Sequence, residues 1–368
     1  MSINIGIIGL PQSGKTTVFN ALTGGKADTT SHAQDGLAPH IGVVKVPEPR
    51  LWVLNDMFHP AKVVPVEAKY LDVSASIKGL AEDKGFGGRL LNQLSTVDTI
   101  FGVVRAFKDE SVPHPQVTLD VGRDIGTLSL ELVFSDLAIM ERRLERLEDS
   151  LKSAKPQDRP AIQQEKEILL RLKAELESDK AIRELELEPT AAKIITNYQL
   201  LTAKPLLIVV NIGEEQLSEA ATMEADLNTK YSGKNCRIIT LCGKLEMELA
   251  HMEESEAKEF REHYGLKESG LARAIKASYE LSEMISFFTV GEDEVRAWPI
   301  RRGINAQKAA GKIHSDFEKG FIRAEGIGYD DLIKCGSMAE ARKKGVLRLE
   351  GKEYIVKDGD ILTFLFNV

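Results

Sequence analysis

The chain has 368 residues, 43% of them hydrophobic and 28% charged, with a net charge of −8 at pH 7. That length suggests two or three domains, and the composition is that of a soluble protein able to bury a full core. The acidic balance excludes a polycation that coats nucleic acid, because phosphate contacts need Lys and Arg, but it leaves room for a local basic face.

Met1-Ser-Ile-Asn-Ile-Gly6 has no basic start and, unlike a signal peptide, runs straight into a strand over residues 4–8. A glycine loop follows, and then a helix beginning near Lys15. Ile41 to Val46, Val66 to Val73, Thr99 to Arg105 and Pro205 to Asn211 read as further strands. Their continuous Val/Ile/Leu runs lack alternation, as in strands of a parallel sheet covered on both faces. The predicted fold is therefore α/β, a doubly wound, mostly parallel sheet. Even the longest apolar run, Pro205-Leu-Leu-Ile-Val-Val210, is far short of the roughly 20 residues that cross a bilayer. No membrane contact is expected.

Between about Ser129 and Thr190 the pattern changes. Val133, Leu137, Met140, Leu144, Leu147 and Leu151 repeat at the four-three spacing of a coiled-coil seam. Ser153-Ala-Lys-Pro-Gln-Asp-Arg-Pro160 breaks that helix, and a second charged helix carries Ile162, Leu169, Leu172 and Leu176. An antiparallel hairpin about 30–40 Å long is the simplest reading; two ordinary helices lying on the sheet are the alternative. Beyond Ile285 come short strand-like runs (Glu294 to Trp298, Leu347 to Leu349, Tyr354 to Val356, Leu362 to Phe366) and one helix after Asn305. The expected domains are residues 1–128 and 191–285 of a nucleotide-binding domain, a hairpin insertion over 129–190, and a small α+β domain over 286–368. Cys236, Cys242 and Cys335 are odd in number and lack C-x-x-C spacing, so reduced thiols and a cytoplasmic location are expected.

The strongest signal is Gly9-Leu-Pro-Gln-Ser-Gly14-Lys15-Thr16, a P-loop placed after a strand and opening a helix. Glycines let backbone N–H groups wrap phosphates, Lys15 reaches the β and γ oxygens, and the Thr16 hydroxyl ligates Mg²⁺. Guanine readers carry Asn-Lys-x-Asp after a later strand; here the corresponding residues are Asn211-Ile-Gly-Glu214. Glutamate is one methylene longer and cannot take the same bidentate position on guanine, so a preference for ATP over GTP follows.

These features resemble the YchF family, the Obg-like branch of the translation-factor GTPases, whose members carry Asn-x-x-Glu and prefer ATP. The resemblance spans the chain and is most specific in Phe287-Phe-Thr-Val-Gly-Glu-Asp-Glu-Val-Arg-Ala-Trp298, His314-Ser-Asp-Phe-Glu-Lys-Gly-Phe-Ile-Arg-Ala-Glu325, Leu349-Glu-Gly-Lys-Glu-Tyr354 and Asp358-Gly-Asp360. Those segments look like the family's TGS domain, which implies a β-grasp fold at the C-terminus. The resemblance also implies Mg²⁺-dependent hydrolysis, ribosome association through RNA or ribosomal protein, and a monomer. The expected nucleotide-binding residues are Pro11, Gln12, Ser13, Gly14, Lys15, Thr16, Thr17, Asn211, Ile212, Glu214, Cys242 and Gly243. Thr16 and Asp72 are the expected Mg²⁺ ligands. His114, between two prolines, matches a loop histidine that the family is thought to use in placing the attacking water.

Several positions, in three segments, depart from the family pattern. Its Asp-x-Ala-Gly motif is Asp72-Val-Ser-Ala75 here, its switch-one threonine aligns with Gly36, and its Ser-Ala-Lys loop is Cys242-Gly-Lys244. Gly36 and Ala75 favour a nucleotide-gated binding module with vestigial turnover, whereas Lys15, Thr16 and Asp72 favour a hydrolase. A small-molecule kinase is disfavoured, since no lid-like arginine cluster follows the P-loop. Arg301, Arg302, Lys308, Lys312, Arg342, Lys343, Lys344 and Arg348 make the C-terminal domain the best candidate for RNA contact.

Overall fold

A computed structural model describes residues 3–25, 40–73, 86–112, 114, 118–266 and 268–367. Gly36 and Ala75 lie outside the described residues. In chain order the elements are β1 (Ile3–Gly9), α1 (Lys15–Thr23), β2 (His40–Lys45), α2 (Pro49–Phe58), β3 (Lys62–Val64), β4 (Glu67–Asp72), α3 (Phe86–Ser95) and β5 (Thr99–Arg105). Next come α4 (Val121–Ser153), α5 (Arg159–Glu177), α6 (Pro189–Thr196), β6 (Leu206–Asn211), α7 (Ala220–Tyr231), β7 (Cys236–Leu241), α8 (Gly243–Leu249), α9 (Glu254–His263) and α10 (Gly270–Leu281). The last segment holds β8 (Met284–Val290), β9 (Glu294–Arg301), α11 (Ala306–Ile313), α12 (Ser315–Lys319), β10 (Phe321–Gly328), α13 (Tyr329–Cys335), α14 (Met338–Lys343), β11 (Arg348–Glu350) and β12 (Asp360–Phe366).

Two compact units emerge: the described residues within 4–42 and 70–274, and residue 3 with 43–69 and those within 275–367. A six-stranded sheet runs β2-β4-β1-β5-β6-β7. Ile5 pairs with Thr99, Ile100 with Leu206 and Leu206 with Cys236, all in parallel register. Parallel strands end at the same edge, so the loops after β1, β5, β6 and β7 gather at the carboxyl end, where open α/β sheets bind ligands. All seven residues of β5 and all six of β6 are buried, as their unbroken apolar runs require.

Helix α4 serves two cores. Ile125, Leu128 and Leu132 pack in the sheet's core, whereas Val133, Met140, Leu144 and Leu147 pack with Leu169, Leu172 and Leu176 of α5. The second and third α5 contacts repeat the seam spacing, so the helices form the expected hairpin and not two separate helices on the sheet. Pro160 does not break a helix here; it occupies the first turn of α5, where a missing N–H costs nothing.

In the other unit a sheet runs β11-β10-β12-β8-β9-β3, with Ala306, Ala309 and Ala310 of α11 in a core that includes Phe287 and Phe364. Small alanines let the helix approach the sheet closely. Arg50, at the start of α2, reaches Asp358 at 2.8 Å and lies over the Phe288 ring at 5.2 Å. Its sheet differs from the sequence expectation in detail. Tyr354 to Val356 contributes only an isolated bridge between Asn305 and Ile355, β10 is an additional strand, and α11 is followed by three further helices. β3 adds an edge in parallel register, Val63 opposite Val295. Within the basic cluster, Arg342 pairs with Glu325, Lys343 with Glu340 and Arg348 with Glu350, so these cations belong to a mixed-charge surface.

Candidate functional site

The loop after β1 is shaped by two left-handed residues, Gln12 at φ 62° and Gly14 at φ 80°. Gly14 has a second reason to be glycine: a Cβ there would fall 2.2 Å from Asn211 Nδ2. Asn211 is 4% exposed, and its side chain joins two loops. Its Nδ2 donates to the Ser13 carbonyl at 3.1 Å, and its Oδ1 accepts from Gly243 N–H at 2.9 Å. Its own carbonyl accepts from the N–H groups of Ala106 and Phe107. Asn211 therefore holds the P-loop, the loop after β5 and the loop after β7 in one arrangement, with its amide engaged by protein.

These loops enclose a pocket of about 1080 Å³. Residues 9–17, the P-loop and the start of α1, line part of it. Its lining also includes the apolar Phe107, Val112, Ile212 and Met247, with Cys242. Ile212 and Cys242 are buried, and burial pushes the Cys242 thiol up from its ordinary value. Glu214 and Lys244 both line the pocket and pair at 3.0 Å; hydrogen bonding to Glu214 raises the Lys244 ammonium. Lys15 forms an ion pair with Asp72, which ends β4 and is 3% exposed.

Pro11, Gln12, Ser13, Gly14, Lys15, Thr16, Thr17, Asn211, Ile212, Glu214 and Cys242 are thus brought together around one cavity. Gly243 is not among the lining residues; its N–H donates to Asn211, which is. His114 is not among the described lining residues. Its Nε2 sits 2.9 Å from Asp124 Oδ2, while Arg123 donates to the other oxygen of Asp124 at 3.1 Å. Phe107, Met247 and Arg105, which stacks on Phe107, escaped the sequence reading. They carry no motif, although Phe107 lies just past the carboxyl end of β5, where such lining is expected.

The comparisons bear directly on this arrangement. The family model described as "50S ribosome-binding GTPase" matches residues 4–111, and YchF-GTPase_C, described as "Protein of unknown function (DUF933)", matches residues 284–367. The chain is 41% identical over 370 residues to a "Ribosome-binding ATPase YchF" of Bacillus subtilis, covering all of both chains. The chain belongs to the YchF family. Another relative of the same name, from Escherichia coli O157:H7, is 35% identical over 377 residues with all of both chains covered. The solved structure of the Schizosaccharomyces pombe YchF GTPase superposes with a TM-score of 0.84 at 30% identity, covering 99% of this chain and 98% of that one. The YchF fold, a P-loop domain with a long-helix insertion and a C-terminal sheet domain, is therefore the fold of this chain.

A YchF-type nucleotide implies Mg²⁺, and the donors present fit it. Among the described residues no cluster of three or more His, Cys, Asp or Glu forms a ready-made metal cage. Magnesium at phosphate sites needs none, because it keeps waters and takes one or two protein oxygens plus the phosphates. The buried Asp72 carboxylate, which pairs with Lys15, and Thr16 in the lining of the same cavity are oxygen donors of the kind that limited set needs.

Proposed function

We propose that the protein is a Mg²⁺-dependent nucleoside triphosphatase that prefers ATP to GTP and works on the ribosome, in the cytoplasm, as a monomer without membrane contact. The relatives named ribosome-binding ATPases support both halves of this reading. The observation that carries the base preference is the Glu214–Lys244 pair in the lining of the pocket. A carboxylate already bound to an ammonium is poorly placed to take both edge donors of guanine. A good bidentate pair discriminates by about 1–3 kcal/mol, and this site forgoes it. Phe107, Ile212 and Met247 offer instead a hydrophobic slot for the base.

In this reading the phosphates lie along the backbone of the P-loop and Lys15 turns from Asp72 to their oxygens. Thr16 and Asp72 would hold the Mg²⁺, whose charge when bound offsets that on the phosphates. Among the described residues, Lys15 is the cation positioned for the β and γ oxygens by its place at the start of α1. Competition binding of ATP and GTP tests the preference; equal affinities, or tighter GTP, overturn it. Phosphate release with and without ribosomes tests the ribosomal half.

A second reading is a nucleotide-gated ribosome-binding module with vestigial hydrolysis. Its specific support is His114, held by Asp124 instead of lining the pocket. Turnover that stays unchanged in the His114→Ala variant, with or without ribosomes, would favour it.

A further inference from the structure

Arg105 ends β5 and is 4% exposed, a buried guanidinium with no ion pair among those described, its nearby opposite charge being the exposed Asp109 carboxylate. Its Nη1 has no hydrogen-bond partner among the described residues. Burying a cation this way is unfavourable unless it does something that a neutral side chain cannot. What it contacts is the wall of the nucleotide pocket. The guanidinium lies over the Phe107 ring at 4.3 Å from its centroid. Its Nε donates to the Phe107 carbonyl at 3.1 Å and its Nη2 to the Asp109 carbonyl at 3.3 Å. Phe107 and Asp109 both line the pocket. The edge of the same ring stands at the P-loop, with Cε1 3.4 Å from where a Gly14 Cβ would be.

We infer that Arg105 is a positioning residue for the nucleotide base, acting through Phe107. Three restraints act together: the two carbonyl bonds fix the backbone of the loop, and the planar cation fixes the ring. Guanidinium is suited to this because it stacks and donates in one plane, which an ammonium cannot do. A cation on one face of the ring also draws electron density from it, which strengthens stacking of an electron-rich purine on the other. The inference rests on the reading above that the base lies in the slot beside Phe107.

The test uses the full chain and compares the Kd of Mg-ATP with that of inorganic tripolyphosphate, which has no base to stack. Arg105→Met keeps a long apolar stem and removes the charge and the donors. It should weaken ATP about five- to thirtyfold, the range of a desolvated cation–π contact and its orienting effect, and leave tripolyphosphate within about twofold. In a Phe107→Leu background the same change should cost ATP less than about twofold, because the group through which Arg105 acts is gone. KM for ATP should rise with kcat unchanged. If Arg105→Met does not fold, Arg105→Lys is read in its place, with a smaller, still base-selective, loss expected. Equal loss of ATP and tripolyphosphate, additive losses in the double variant, or undiminished ATP binding by a folded variant each overturn the inference. Failure of the underlying slot reading looks different: Phe107→Leu would then bind ATP as tightly as the wild type.

Discussion

Lys15 and Asp72 show how one pair of residues is shared between stability and ligand. The ammonium and the carboxylate face each other across the P-loop, and Asp72 is nearly sealed from solvent. Removing Lys15 therefore does two things. On the proposed function it deletes the cation that would meet the phosphates, and it leaves a buried carboxylate without the ion pair it makes with Lys15. Lys15→Ala should weaken ATP binding about ten- to a hundredfold, the range for a hydrogen bond to a charged group. It should also lower the melting temperature, and Asp72→Asn in the same chain should restore much of that loss without restoring binding. Calorimetry and a thermal melt on the three proteins check both halves. His114 poses the complementary case. It is not among the described residues lining the pocket and its Nε2 is engaged by Asp124, so His114→Ala should leave ATP affinity unchanged. If the loop carries it to the γ-phosphate during turnover, hydrolysis should fall tenfold or more, as for a water-positioning or proton-transfer group. Single-turnover phosphate release decides between that outcome and an unaltered rate. At this scale the motif residues were legible because P-loop chemistry permits few alternatives. Phe107 and Arg105 were not, because an aromatic and a cation at a strand end have many ordinary uses.

Among the elements, α4 gives the clearest view of what a pattern can and cannot say. Its heptad from Val133 onward is readable, since a seam needs apolar residues at fixed spacing and α5 answers with Leu169, Leu172 and Leu176. Its first three turns were not readable as part of the same helix, because their apolar residues face the sheet instead of α5. Where the helix changes partner it carries Asp136, fully buried. That carboxylate accepts from the N–H groups of Leu201 and Thr202 and from the Thr202 hydroxyl, which anchors the turn before β6 to α4. Arg183, also buried, donates to the Lys204 carbonyl close by. Burial pushes the Asp136 carboxyl up to about 6, against the hydrogen bonds from Thr202 and Leu201 and the nearby Arg183 charge. A carboxyl protonated more readily in the folded than in the unfolded chain favours folding below its unfolded value. That contribution fades as pH rises through about 6, and it amounts to roughly 2–3 kcal/mol between pH 4 and 6. Other carboxylates titrate in the same window, so the measurement is a difference. The stability gap between wild type and Asp136→Asn, from urea unfolding, should be larger at pH 4.5 than at pH 7.5. A gap that does not vary with pH would mean that Asp136 titrates as an ordinary aspartate.

The molecule as a whole is not divided where its sequence suggests. The family model for the C-terminal region begins at residue 284, the first residue of β8. Yet the sheet containing β8 also takes β3 from residues 62–64, paired to β9, and the unit as a whole includes residues 43–69. Three-residue β3 shows no periodicity, so nothing in the sequence announced it. Its pairing is a long-range fact, decided by the free edge of β9 and not by local preference. Arg50 fastens the same early segment by a second route. It is bonded to Glu48 at 2.6 Å and to Asp358 at 2.8 Å, and Asp358 in turn accepts from Ser286 N–H at 2.9 Å. Hydrogen bonding to Glu48 and Asp358 holds the Arg50 guanidinium charged even more firmly than usual. A fragment of residues 275–368 should therefore be less stable than the same sheet in the intact chain, because β9 would present an unpaired edge and Asp358 would lose its cation. Adding a peptide of residues 43–69 in trans should raise the fragment's melting temperature in a concentration-dependent way, as for any ligand that binds only the folded state. The same peptide with Arg50→Ala should do so more weakly, since a charge-assisted bond and a cation–π contact are missing. If the fragment melts at the same temperature with and without the peptide, β3 and Arg50 add nothing to the sheet. The C-terminal region would then be a self-sufficient domain, with the early segment merely resting on it.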